Sequence, residues 1–197
     1  METTEKKFNE QEAMKVLNET ISVAKGNLDD GYFYFVLWGG VIALIYLSRF
    51  CLIRFNLQDY SGYANLLYAV GGIISFIFSR GQDKKPKVNT YIEKWMGYIW
   101  ITFGMQLAVA LICLMAHEDY SIITPVFLLL IGGATLISGG LIKYKPLIIG
   151  GVIFIVFATV TFFVSTELQN LLACISMIIG NLIPGLMYRQ TTGKENV

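Results

Sequence analysis

Trp95 to Ala116 reads WMGYIWITFGMQLAVALICLMA, twenty-two residues without one charged side chain, with Lys94 just before it and the run His117, Glu118, Asp119 just after. A helix rises about 1.5 Å per residue and the hydrocarbon core of a bilayer is about 30 Å thick, so roughly 20 apolar residues cross it. This stretch is long enough to cross, and its charged neighbours mark both ends.

Five more segments read the same way: Tyr32 to Ile53, Gly62 to Ser79, Ser121 to Leu141, Pro146 to Val164 and Leu168 to Tyr188. Of the 197 residues 55% are hydrophobic and 15% charged, and the mean hydropathy is +0.58, a composition foreign to soluble domains. The expected fold is all-α: a polytopic membrane bundle of six transmembrane helices spanning residues 31–189. The second segment is the weakest, being short with Asn65 near its start. Ser165, Thr166 and Glu167 must reverse the chain between the fifth and sixth, or those two merge into one long helix.

The sidedness of the spans follows from lysine and arginine, which are enriched in cytosolic loops. Thirteen of the fifteen fall on one side, at the N-terminus, between Arg80 and Lys94, at Lys143 and Lys145, and at Arg189 and Lys194; only Arg49 and Arg54 fall on the other. The acids Asp59, Glu118, Asp119 and Glu167 mark the translocated turns. Tyr32, Tyr91, Trp95, Tyr144 and Tyr188 lie at inner ends and Tyr60, Tyr63 and Tyr120 at outer ones, the depth that amphipathic rings favour. Both termini are therefore expected in the cytosol, with the chain multi-pass in its membrane. No short apolar segment with a small-residue cleavage site precedes Asp30, so the first span is expected to act as an uncleaved anchor.

The spans read as three tandem hairpins, because each even-numbered one carries a ladder of small residues followed by a basic one. The ladders are Gly71, Ser75, Ser79 before Arg80, then Thr135, Gly139 before Lys143, then Ser176, Gly180, Pro184 before Arg189. Small residues four apart let helices approach closely in lipid, where no hydrophobic drive brings them together. Coincidence among glycine-rich spans is the competing reading. Pro125 and Pro184 kink their helices or adjust packing.

Residues 1–30 differ in kind. Met14, Leu17, Ile21, Ala24 and Leu28 step by three and four, giving an apolar stripe on a helix whose other faces carry Glu10, Glu12, Lys15, Glu19 and Lys25. A cytosolic amphipathic helix is expected there, packing on the bundle, self-associating or meeting a cytosolic protein through residues before Gly31, rather than anchoring to anionic lipid. The loop from Arg80 to Thr90 is basic and either retains its side inside or docks anionic groups. Residues 190–197 form a polar tail, expected to be disordered. The lipid bilayer is the expected partner of such a chain; a net charge of +1 gives no concentrated basic face for nucleic acid.

Chemistry is sparse. The span centres carry no Asp, Glu, Lys, Arg or His, so no proton relay, intramembrane hydrolase or metal site is read, and no cofactor, metal ligand or catalytic residue is assigned. His117, Glu118 and Asp119 are adjacent, and adjacent residues seldom converge on one ion. Cys51, Cys113 and Cys174 lie in or beside apolar segments without Cys-x-x-Cys spacing, as packed or lipid-embedded thiols do. The polar intramembrane positions are Gln106 and Asn181, which make interhelical hydrogen bonds or line a substrate site. Arg49 lies about a turn inside the outer end of the first span. It snorkels to the surface or forms an outer-layer ion pair with Asp59, Glu118 or Glu167.

The stretch Ala134 to Gly151, ATLISGGLIKYKPLIIGG, together with Phe33 to Gly40, resembles an uncharacterised family of small six-span bacterial membrane proteins that also open with an acidic amphipathic helix. The resemblance implies a bacterial cytoplasmic membrane and carries over no functional residue. The function expected is therefore a non-enzymatic interaction or regulatory role in the membrane. The alternative is a small transporter or channel-like carrier of an uncharged or lipidic substrate.

Overall fold

A computed structural model describes residues 31–82, 91–117 and 120–188; the expected N-terminal helix, most of the basic loop, Glu118 and Asp119, and the C-terminal tail lie outside these. Among the described residues the fold is all helical. Helix α1 (Gly31–Arg54) is followed by a 3-10 segment (Gln58–Asn65), then α2 (Leu66–Gln82), α3 (Tyr91–His117), α4 (Ile123–Leu141), α5 (Lys145–Thr161) and α6 (Thr166–Met177). The α6 rod widens into a π turn (Ile178–Leu182) and continues to Tyr188. Five of these rods are long and apolar enough to cross a membrane; α5, at 17 residues, is the shorter apolar helix.

The helix limits correct several boundaries. The second span begins as a 3-10 segment, and Asn65, expected inside the apolar stretch, is the last residue of that segment. The reversal between α5 and α6 is made at residues 162–165; Thr166 and Glu167 already belong to α6, where the carboxylate favours the positive end of the helix dipole.

Two helix ends close alike. Asn56 and Lys143 have positive φ, 56° and 55°. After α1 the amide of Asn56 donates to Ile53 and that of Leu57 to Leu52; after α4 the amide of Lys143 donates to Gly140 and that of Tyr144 to Gly139. This paired pattern is the Schellman motif, which satisfies the last carbonyls of a helix by turning one residue left-handed. Glycine usually fills that place, and neither end has it.

Contacts fix the helix directions. Phe33 at the start of α1 stacks on Phe78 at the end of α2, centroids 3.7 Å apart; Gly139 late in α4 lies against Ile148 early in α5; and Val36 of α1 meets Gly185 near the end of the α6 rod. Neighbours run antiparallel, so Arg80, Lys94, Lys143 and Lys145 gather at one end of the bundle. Arg54, Asp59 and Glu167 gather at the other, where Arg54 meets Glu167 at 3.8 Å.

The packing is uneven. The buried core is drawn mainly from α1, α4, α5 and α6, and includes Ile42, Tyr46, Leu128, Ile131, Phe154, Ala173 and Met177. By contrast only 11% of the α2 span and 6% of the α3 span are buried, against 56% for α4. The tightest pairings are α4 with α5 and the first helix with the last. Both cut across the three expected hairpins, so the hairpins are not separate packing units.

Glycine explains the close quartet. Five Gly-Gly doublets occur in the chain. In α1, α2 and α4 one member of each doublet faces a neighbour and the other faces open space: Gly39, Gly71, Gly132 and Gly139 are packed, while Gly40, Gly72, Gly133 and Gly140 have nothing near. The α5 doublet differs. A methyl on Gly150 would overlap the carbonyl of Gly180, and one on Gly151 would lie 2.5 Å from the backbone nitrogen of Leu136. Helix α5 is thus wedged, backbone to backbone, between α4 and α6.

Candidate functional site

The π turn at Ile178–Leu182 is where sequence, backbone and buried polarity meet. Pro184 has no N–H, so the carbonyl of Gly180 cannot receive the usual bond from four residues on, and the proline ring crowds that carbonyl. The helix widens instead, and the amide of Ile183 reaches back five residues to Ile178. The wider turn needs room. Gly39 of α1 and Gly150 of α5 supply it from two sides, with the backbone nitrogen of Leu182 only 2.9 Å from where a Gly39 methyl would stand. Extra-wide turns of this kind recur at functional sites.

Asn181 sits in this turn, 1% exposed, and its Oδ1 accepts a long hydrogen bond, 3.5 Å, from the hydroxyl of Thr135 on α4. Ser138, one turn further along α4, is fully buried, and its hydroxyl has no hydrogen-bond partner among the described residues. Ser176 is also buried and donates to the carbonyl of Ala173. Near the basic end Tyr144 donates to the carbonyl of Pro184 at 3.1 Å and sets its ring edge-on to Tyr188. Partial burial raises the Tyr144 phenol above its ordinary value. The result is a narrow polar seam between α4 and the α6 rod, walled by Phe154 and glycine backbone. It offers hydroxyls, one carboxamide and carbonyls, and no charged group.

The two intramembrane positions singled out in the sequence do not share this seam. Asn181 is inside it, whereas Gln106 is exposed on α3, a helix that packs mainly on α4. A site built from Gln106 and Asn181 together does not form. Of Thr135 and Ser138, which complete the seam, the sequence marks only Thr135, as a rung of the small-residue ladder in its span. The signal for the π turn was Pro184, which cannot give the Gly180 carbonyl its usual helical bond.

Arg49 has a neutral hydrogen-bond partner among the described residues, and Glu118, one of its expected ion-pair partners, lies outside them. Its guanidinium donates to Oδ1 of Asn65 at 2.6 Å and lies 6.0 Å from the Tyr46 ring. Among the described residues Glu167 pairs with Arg54 instead, because Arg54 stands beside the α6 start while Arg49, five residues back, faces the 3-10 segment. No group of three or more His, Cys, Asp or Glu able to hold a metal occurs among the described residues.

Comparison with family models, with curated proteins and with solved structures gives no match. The resemblance noted at Ala134 to Gly151 therefore brings no activity, and function has to be argued from this geometry alone.

Proposed function

We propose that the chain is a non-enzymatic membrane protein that works by association, held in a bacterial cytoplasmic membrane by six crossings with both termini in the cytosol. The observation that carries this reading is the contrast between the glycine-locked quartet of α1, α4, α5 and α6 and the nearly unburied α2 and α3. The quartet is a scaffold. Helices α2 and α3, the basic chain between them and the segment before Gly31 are the surface offered to partners. The sixth crossing is α5, whose 17 residues rise about 25 Å and are lengthened by the apolar turn Phe162 to Val164.

A second reading, a carrier for an uncharged or lipidic substrate, is favoured by the broken α6 rod and the hydroxyl of Ser138 on α4, which has no partner among the described residues, since interrupted helices line cavities in transporters.

Two measurements separate these. A photoreactive residue at Ile77, 65% exposed on α2, is expected to capture a protein in native membranes, and the adduct should vanish when the residues before Gly31 are deleted. With the three cysteines removed and Asn181→Cys introduced, a water-soluble thiol reagent should leave the folded protein unlabelled. Labelling at 181 with only lipid adducts at 77 overturns the association reading in favour of the carrier.

A further inference from the structure

Gln106 is left over by everything above. It lies at the centre of the α3 span, twelve residues from Lys94 and eleven from His117, so its amide stands about 17 Å from either end. It is exposed and makes no hydrogen bond with any described residue. Water satisfies such a group in a soluble protein. Hydrocarbon does not, and an amide at mid-membrane depth needs a partner that both donates and accepts.

The neighbours of Gln106 define a face. Trp95, Ile99, Thr102, Gln106, Val109 and Cys113 step by four and three residues, the spacing of a coiled-coil seam, with the glutamine in the core of the repeat. Phe103, Leu107 and Leu114, which turn α3 toward the bundle core, lie about 80° away around the helix at 3.6 residues per turn. Helix α3 therefore has one face held by the bundle and a second, polar-centred face that is exposed except at its edge, where Ile99 is half-buried. No charge interrupts this second face from Trp95 to Cys113, so a like copy is not repelled and no oppositely charged helix is recruited.

We propose that this face is the contact between two copies of the chain, with Gln106 of each hydrogen-bonded to the same residue of the other across a two-fold axis along the membrane normal. The carboxamide is self-complementary, carrying a donor and an acceptor, as an isologous contact requires. A single polar group in an apolar seam also fixes register, since any slipped pairing leaves both amides in hydrocarbon. The proposal rests on reading α3 as a partner-facing helix and adds the identity of its partner.

The chain carries its own reporter. Cys113 is an exposed thiol, while Cys174 is buried and Cys51 partly so, and it lies seven residues from Gln106 on the same seam. Native membranes holding the full chain are oxidised with copper phenanthroline and run without reductant. A covalent homodimer is expected, lost in Cys113→Ser and kept in Cys51→Ser and Cys174→Ser. Gln106→Leu should lower the dimer fraction at least fivefold with unchanged thermal unfolding, and Gln106→Asn should restore it. Absence of a Cys113-linked homodimer, a Cys113 adduct to a different protein, or a dimer indifferent to Gln106→Leu overturns the proposal. If Ile77 adducts persist in any of these cases, the association reading survives and only the homodimer falls.

Discussion

Single atoms decide most of this architecture. Gly150 and Gly151 are the only doublet with both members against neighbouring helices, and a methyl at either meets backbone, which cannot swing aside as a flexible side chain can. Gly150→Ala and Gly151→Ala are each expected to destabilise the protein by about 1–3 kcal/mol, the usual range for overpacking. Gly133→Ala points into open space and should be neutral or slightly stabilising, because alanine is the better helix former. Thermal unfolding in one detergent would rank the three, and equal losses would refute the backbone wedge. The sequence showed small residues at four-residue spacing in several spans. It did not show which member of each doublet was packed, because that depends on how each helix is rotated, and apolar residues on every side leave rotation unspecified.

At the scale of whole helices the sequence is readable where charge or proline breaks the apolar run, and opaque where it does not. Six helical stretches, with ends near Lys94, Leu141 and Tyr188, follow from charged flanks and turn residues. The late start of α2 does not, since 58–65 has no charge after Asp59 to separate a 3-10 segment from an α-helix. Pairing was also hidden: short connections suggest hairpins, yet Gly132 and Gly139 of α4 and Gly180 of the α6 rod all turn to α5. The end of α4 gives a local test. Lys143 holds a left-handed conformation, φ 55°, which costs an L-residue with a Cβ roughly 1–2 kcal/mol relative to glycine. Lys143→Gly should therefore raise the unfolding temperature, with Lys145 still supplying positive charge at that end. A lowered temperature would show that the lysine charge at the helix terminus outweighs the backbone strain.

At the scale of the molecule the chain sorts its charges between two ends, and the antiparallel contacts bring Arg80, Lys94, Lys143 and Lys145 together as the count of basic residues in the sequence expected. A cysteine at Lys85, in a background free of the native three, should resist a membrane-impermeant maleimide in intact cells and react once the membrane is opened. Reaction in intact cells would reverse the proposed orientation. The candidate site was only half legible. Asn181 stood out as an amide among apolar residues, but its partner Thr135 comes from another helix 46 residues away, and no local pattern records such a pairing.

The pairing of the first rod with the last also sets a timetable. The groove at Gly39 is filled by Asn181 and Leu182, which the ribosome reaches only after more than a hundred further residues, on the order of ten seconds at 5–20 residues per second. Throughout that interval the residues that fill the groove at Gly39 have not yet been made. A nascent chain interrupted before Thr166 would lack the residues that fill this groove, leaving the small face of α1 at Gly39 without its cover.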